Sequence, residues 1–377
     1  MRRIVQHDRH RVVEAEWSES GASHESVAGD THPSERNVVA VSLPIGQTVP
    51  DQLRLETDLT LDAELLHGMI VGMTVTFASP TDAKQRLARA GYLASDAVAT
   101  TVFLAATLGK PLLVEGPAGV GKTALAQAVA EATRSDHEGA ELIRLQCYEG
   151  VDEARALYEW NHAKQLLRIT AGREESWDEA RTDIFSEEFL LPRPLLQAIR
   201  RDDPTVLLID EVDKADVEIE GLLLEVLGDF QVTVPELGTV TATQRPFVVL
   251  TSNATRELSE ALRRRCLFLH VDFPDAELEA DIVRLKVANL DKTLADSVVR
   301  VVNALRAMPL RKSPSVAETI DWARTLLALG ADILDDDVVQ ETLGVILKHR
   351  DDVEKATAKL DLNTVLGGGS DDQASGA

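Results

Sequence analysis

The sequence predicts an α/β fold, a five-stranded parallel sheet between helices, followed by a small all-α domain. Three observations carry that reading. Unbroken aliphatic runs, Val206-Leu207-Leu208-Ile209 and Phe247-Val248-Val249-Leu250, are what strands buried on both faces need. Both runs end in polar residues, Asp210-Glu211 and Thr251-Ser252-Asn253. Beyond Pro274 the apolar residues recur only at helical spacing.

Residues 1–80 read as an N-terminal extension. The first 37 or so are polar and charged, the composition of an unstructured segment, and the apolar patches up to Phe77 assemble into no domain. A clean helical stretch follows Met73-Thr74-Val75-Thr76-Phe77, so translation is expected to begin at Met73 or Met69. The α/β domain is expected over 81–274. It opens with two helices between Asp82 and Leu108, broken at Gly91.

Next comes Leu112-Leu113-Val114-Glu115, then Gly116-Pro117-Ala118-Gly119-Val120-Gly121-Lys122-Thr123, then an alanine-rich helix from Ala124. Strand, glycine turn and helix in that order match G-x-x-x-x-G-K-[ST], a loop that cradles phosphate. The glycines let backbone N–H groups converge on an anion, and the helix N-terminus adds its positive end. Lys122 supplies a charge for the β- and γ-phosphates, and the Thr123 hydroxyl is a ligand for Mg²⁺.

Leu142–Leu145 reads as a second strand, residues 149–169 as apolar positions at helical spacing, and 172–183 as a charged surface excursion. Leu190–Arg200 begins with prolines and becomes a helix. The strand ending in Asp210-Glu211 then gives a second nucleotide motif. Asp210 holds the magnesium, and Glu211 orients and activates water. Val217–Leu227 is a helix, and the alternation in Phe230–Val234 and Val240–Ala242 around a glycine-containing turn is a β-hairpin. Asn253, ending the next strand, sits where an amide can help position water, although Asn is also an ordinary turn former. Arg263-Arg264-Arg265 closes a helix before the last strand, Cys266–Val271. Such arginines complement the helix dipole; alternatively, one reaches a phosphate held by a neighbouring subunit. The helical lid is expected over 275–362, with a capping box at Ser315–Glu318 and a fourth helix over about Asp336–Arg350. Residues 363–377 are Gly/Ser/Asp-rich and read as a flexible tail.

Composition bounds the function. With 39 Lys and Arg against 63 Asp and Glu, the net charge is −24 and no basic stripe is visible, which disfavours a nucleic-acid motor. No apolar run is long enough to span a bilayer, and the first residues, Met1–Asp8, lack the apolar core expected of a signal peptide. The two cysteines, Cys147 and Cys266, fit no zinc spacing. A cytoplasmic enzyme is expected.

Across residues 82–350 the order of these parts resembles an AAA+ P-loop ATPase. The hairpin before the Asn253 strand, and Arg256-Glu257-Leu258-Ser259-Glu260-Ala261-Leu262-Arg263-Arg264-Arg265 after it, are similar to the MoxR branch. Leu142–Gly150, Ala156–Asn161, Asp229–Val240 and Val316–Trp322 are similar to its CoxD-type members, associated with maturation of carbon monoxide dehydrogenase and related molybdenum hydroxylases. The resemblance implies ATP and Mg²⁺ as ligands. Gly116, Pro117, Ala118, Gly119, Val120, Gly121, Lys122, Thr123 and Ala124 would be Walker A, Asp210 and Glu211 Walker B, and Asn253 sensor 1. It implies a trans-acting arginine, Arg265 with Arg264 as alternative, and a sensor 2 in the lid, for which Lys312 or Arg311 would substitute. It also implies a hexameric ring, a partner with a von Willebrand factor A domain and a client metalloenzyme. Two function classes follow: an ATP-hydrolysing remodelling chaperone, or a nucleotide-switched binding module. Tyr148–Trp160 and the Phe230–Val240 hairpin are the candidates for client contact, with Tyr158 and Trp160 packing on the sheet as the alternative.

Overall fold

The computed structural model describes residues 75–133, 140–171, 184–235 and 237–367. The expectations for residues 1–74, including a start at Met69 or Met73, for 172–183 and for the chain beyond 367 lie outside the described residues. All described residues belong to one compact unit.

Two helices come first, α1 (Pro80–Arg89) and α2 (Asp96–Leu108). Ser79 and Ser95 cap them, each accepting a hydrogen bond from a backbone N–H of the first turn, and Gly109 ends α2 in the left-handed conformation. Then follow β1 (Leu112–Glu115), α3 (Lys122–Ala132), β2 (Glu141–Gln146), the single turn α4 (Glu153–Ala156), β3 (Tyr158–Trp160), α5 (His162–Ala171), β4 (Leu190–Pro192) and α6 (Pro194–Arg200). The second half holds β5 (Thr205–Asp210), α7 (Val217–Asp229), the hairpin β6 (Gln231–Val234) and β7 (Gly238–Thr241), β8 (Phe247–Ser252), α8 (Glu260–Arg265) and β9 (Leu267–His270).

Strands β2-β5-β8-β1-β9 form one five-stranded sheet in that order, every pair parallel. Alternate residues of one strand serve two cores. Leu207 and Ile209 enter the cluster shared with α6 and α7, whereas Val206 and Leu208 enter the cluster under α1, α2 and α3. The register sets Glu115 beside Ser252 and His270, and Gln146 beside Asp210, along the carboxyl edge of the sheet.

Residues 149–169, expected to be helical, instead fold as α4, β3 and α5. Strand β3 pairs antiparallel with β4, Tyr158 opposite Pro192 and Trp160 opposite Leu190, so Leu190–Pro192 is also a strand rather than a helix start. The pairing joins segments about 30 residues apart, beyond the reach of any local pattern. Tyr158 and Trp160 pack partly buried against the core, with the Trp160 ring edge-on to Phe185 at 5.3 Å. The apolar spacing in α5 does not mark a core face. Leu166 and Leu167 are 65% and 71% exposed, while Gln165 is buried and donates to the Ile184 carbonyl at 2.8 Å.

The helical C-terminal part, expected to be a lid and labelled so below, comprises α9 (Ala276–Lys286), α10 (Lys292–Arg306), α11 (Val316–Leu329), α12 (Asp336–Ile346), α13 (Arg350–Lys359) and α14 (Leu362–Gly367). It packs around Trp322, whose Nε1 donates to Thr342 Oγ1 at 2.8 Å. The capping box at Ser315 and Glu318 forms in both directions. The helix expected over Asp336–Arg350 stops at Ile346. The break lets Asp352, in the first turn of α13, accept the backbone amides of Arg311 and Lys312 at 2.8 and 3.2 Å. Helix α14 occupies the first residues of the span expected to be a tail. Among the described residues no helix is long and apolar enough to cross a membrane.

Candidate nucleotide-binding site

The loop between β1 and α3 wraps Gly116–Gly121 under the start of the helix. A Cβ on Gly116 would stand 2.0 Å from the Val271 carbonyl oxygen, so only glycine lets the loop pass this close to the end of β9. At Gly119 the backbone is left-handed (φ +76°), and a Cβ would meet Ser315 Oγ at 2.3 Å. The Ala317 N–H donates to the Gly119 carbonyl at 3.3 Å. The lid helix α11 thus seats its first turn on the loop. Gly119→Ala is expected to cost about 1–3 kcal/mol in local strain and to lift the lid, read as weaker binding of a fluorescent ATP analogue.

Lys122 is 7% exposed, and its Nζ donates to the carbonyls of Gly116 and Pro117 and to Asn253 Oδ1, each at 2.7 Å. Burial lowers its pKa from the usual lysine value, opposed by the charges of Asp213, Asp210 and Glu211. Asn253 turns its other end to Glu211, Nδ2 to Oε1 at 3.3 Å. Two strand ends and the loop are therefore joined through one amide.

Asp210 is buried at the end of β5. Its Oδ1 accepts from Thr123 Oγ1 at 3.0 Å and Thr251 Oγ1 at 2.5 Å, while Oδ2 accepts from the Arg144 guanidinium. A hydroxyl oxygen and a carboxylate brought together suit a hard divalent cation, so Thr123 and Asp210 fit the magnesium role. Glu211 follows in the left-handed region (φ 56°), a conformation that costs a non-glycine residue energy and recurs at functional sites. Its N–H is held by Thr251 Oγ1 at 2.9 Å. Its carboxylate accepts from Gln146 Nε2 at 3.0 Å and Lys214 Nζ at 2.7 Å. Behind it, burial raises the Asp213 pKa, but hydrogen bonds from the Thr255 hydroxyl and amide outweigh that and hold it below the usual value.

These groups line a cavity of about 910 Å³ between the sheet edge and the lid. One half is polar, with Lys122, Thr123, Asp210, Glu211 and Asn253. The other is apolar, with Tyr92, Val271, Phe273, Ile282, Val316 and Ile320. That division suits a ligand with a flat heterocycle at one end and phosphates at the other. Burial pushes the Tyr92 hydroxyl up to about 12.

Ala118–Ala124, Asp210, Glu211 and Asn253 converge here, whereas Gly116 and Pro117 do not line the cavity and turn their carbonyls to Lys122 Nζ. Arg264 and Arg265 do not line the cavity: Arg264 pairs with Glu260 at 2.5 Å, and the Arg265 guanidinium lies against Gly228. Nor do Arg311 and Lys312; the Lys312 ammonium reaches Glu318 at 3.1 Å. Arg144, Gln146 and Thr251 were given no role from sequence. Polar residues 144 and 146 alternating with buried Ile143 and Leu145, on the strand next to Asp210, are the signal that could have found the first two.

Residues 112–274 match the family described as "ATPase family associated with various cellular activities (AAA)". The chain is 29% identical to the chaperone protein ClpB of Oceanobacillus iheyensis, over 59% of this chain and 24% of that one. It is 28% identical to the negative regulator of genetic competence ClpC/MecB of Bacillus subtilis, over 57% of this chain and 22% of that one. The chain therefore spans about a quarter of the length of these relatives. A solved structure of a RuvB mutant from Thermotoga maritima aligns with 71% of this chain and 71% of its own, at 17% identity and a TM-score of 0.40. The stretch that matches this family, residues 112–274, runs from β1 to just past β9 and takes in the glycine loop, Asp210, Glu211 and Asn253.

Proposed function

We propose that the chain is a MoxR-type AAA+ ATPase, nearest the CoxD-type members, that uses ATP hydrolysis to remodel a protein client. The metal-cofactor assembly of a molybdenum hydroxylase is the proposed task. The observation that carries hydrolysis is the unbroken set of contacts from Lys122 through Asn253 to Glu211, with Gln146 and Lys214 fixing the same carboxylate. Thr123 and Asp210 would hold Mg²⁺, which would neutralise phosphate charge. Lys122 then pairs with the phosphates, Glu211 takes the proton of the attacking water, and Asn253 orients that water. In a proposed hexameric ring, Arg265, or Arg264 beside it, reaches the phosphates of the next subunit. Its release after cleavage shifts the lid, which touches the loop at Gly119.

A protein client is favoured by the net charge of −24 and by the similarity to relatives named as chaperones. The β6–β7 hairpin and the start of the Tyr148–Trp160 segment, where Tyr148 is exposed while Tyr158 and Trp160 pack on the core, are the proposed client contacts, and a von Willebrand factor A protein is the proposed partner. The competing reading is a nucleotide-switched binding module, which needs ATP bound but not split. Glu211→Gln in cells separates the two. Loss of client maturation with ATP binding and assembly intact supports remodelling, whereas normal maturation makes the protein a switch. Stimulation of turnover by DNA at low salt would instead point to a nucleic-acid motor.

A further inference from the structure

Arg144 sits inside the candidate site, on β2, yet hydrolysis as described gives it no task. Its guanidinium donates to Asp210 Oδ2 and to Gln146 Oε1. Its side chain is 50% exposed while that of Asp210 is 4% exposed. A half-solvated cation is thus paired with the buried carboxylate that suits magnesium. The two oxygens of Asp210 divide the work: Oδ1 is committed to Thr123 and Thr251, so Oδ2 is the atom Arg144 holds.

We propose that Arg144 is a built-in competitor of the divalent cation at Asp210. A metal ion brings two positive charges to a carboxylate already neutralised by one, and like charges at this separation repel. Metal loading therefore requires Arg144 to leave Oδ2, which its exposed position allows. Its departure also frees Gln146 Oε1, so the amide that holds Glu211 loses its second anchor when the metal arrives. Arg144 acts on the reaction through Asp210 and Gln146 and is a positioning residue. It sets the magnesium concentration at which the site loads.

This inference rests on the site binding a magnesium nucleotide, and the test separates the two. Binding of N-methylanthraniloyl-ATP is followed by fluorescence while free Mg²⁺ is varied, for the wild type, Arg144→Met and Arg144→Lys. Losing a charge-assisted bond to a partly exposed partner is expected to move the magnesium midpoint about tenfold lower in Arg144→Met. Arg144→Lys, which keeps the charge on a shorter and more strongly hydrated head group, is expected between the two. Binding in EDTA is expected to change less than the midpoint. An unchanged or higher midpoint in both variants, with circular dichroism melts like the wild type, overturns the inference. Should Arg144→Met melt early, Arg144→Lys alone decides, because a shift in its midpoint is still required. If the wild type shows no magnesium-dependent binding, the reading of the site fails first.

Discussion

Glu211→Gln is expected to leave ATP binding within a few-fold of the wild type and to lower turnover about a hundred- to ten-thousand-fold, the usual contribution of a positioned general base. The asymmetry follows from the contacts. The phosphate loop, Lys122 and the Thr123–Asp210 pair do not depend on the charge at 211. A glutamine side chain can still accept from Gln146 and Lys214 through its amide oxygen, so the left-handed turn at 211 and its N–H bond to Thr251 persist. What is lost is the ability to take a proton, and with it the Asn253 contact, because the amide nitrogen that replaces Oε1 cannot accept from Nδ2. Phosphate release, with fluorescent-nucleotide titration alongside, checks both halves, and turnover within threefold of the wild type would remove Glu211 from the chemistry. Asn253→Ala is a milder companion. It unhooks both Lys122 Nζ and Glu211 Oε1, so binding and turnover fall together.

Much of this site was legible because the chemistry forces local patterns. A strand buried on both faces has no polar position to spare, so Val206–Ile209 stands out, and the side chains divide between two cores as the run requires. The glycines before Lys122 are likewise dictated by close approaches at Gly116 and Gly119. The illegible parts are those whose partners lie far off in sequence. Strand β3 exists because β4 meets it, and the exposed leucines of α5 mimic a core face that the fold does not use. The roles of Arg144 and Gln146 needed the order β2-β5, since only that neighbour puts them beside Asp210 and Glu211. The seat of Ser315 on Gly119 joins residues nearly 200 positions apart, and no periodicity records it.

Glu279→Ala is expected to destabilise the protein by about 3–5 kcal/mol, the cost of orphaning a buried charge, and to lower its melting temperature by on the order of 10 °C. Glu279 is fully buried at the start of α9 and accepts from Arg306 Nη1 at 2.5 Å, Arg306 Nη2 at 2.8 Å and Thr319 Oγ1 at 2.8 Å. The same guanidinium lies 4.5 Å from the Phe273 ring centroid, at the end of the sheet domain, and donates to the Pro314 carbonyl at 2.8 Å. One pair thus ties the first three lid helices to the residue just before Ser315, where the lid meets the phosphate loop. Stability and positioning can be separated. In Glu279→Leu/Arg306→Met the buried charges go together, so thermal stability is expected to recover most of the loss. The Pro314 contact does not return, and nucleotide binding is expected to stay weaker than in the wild type. A double variant that regains both would show that the pair stabilises the lid without aiming it, because the packing of Phe273 and Pro314 would then set the position of Ser315 unaided.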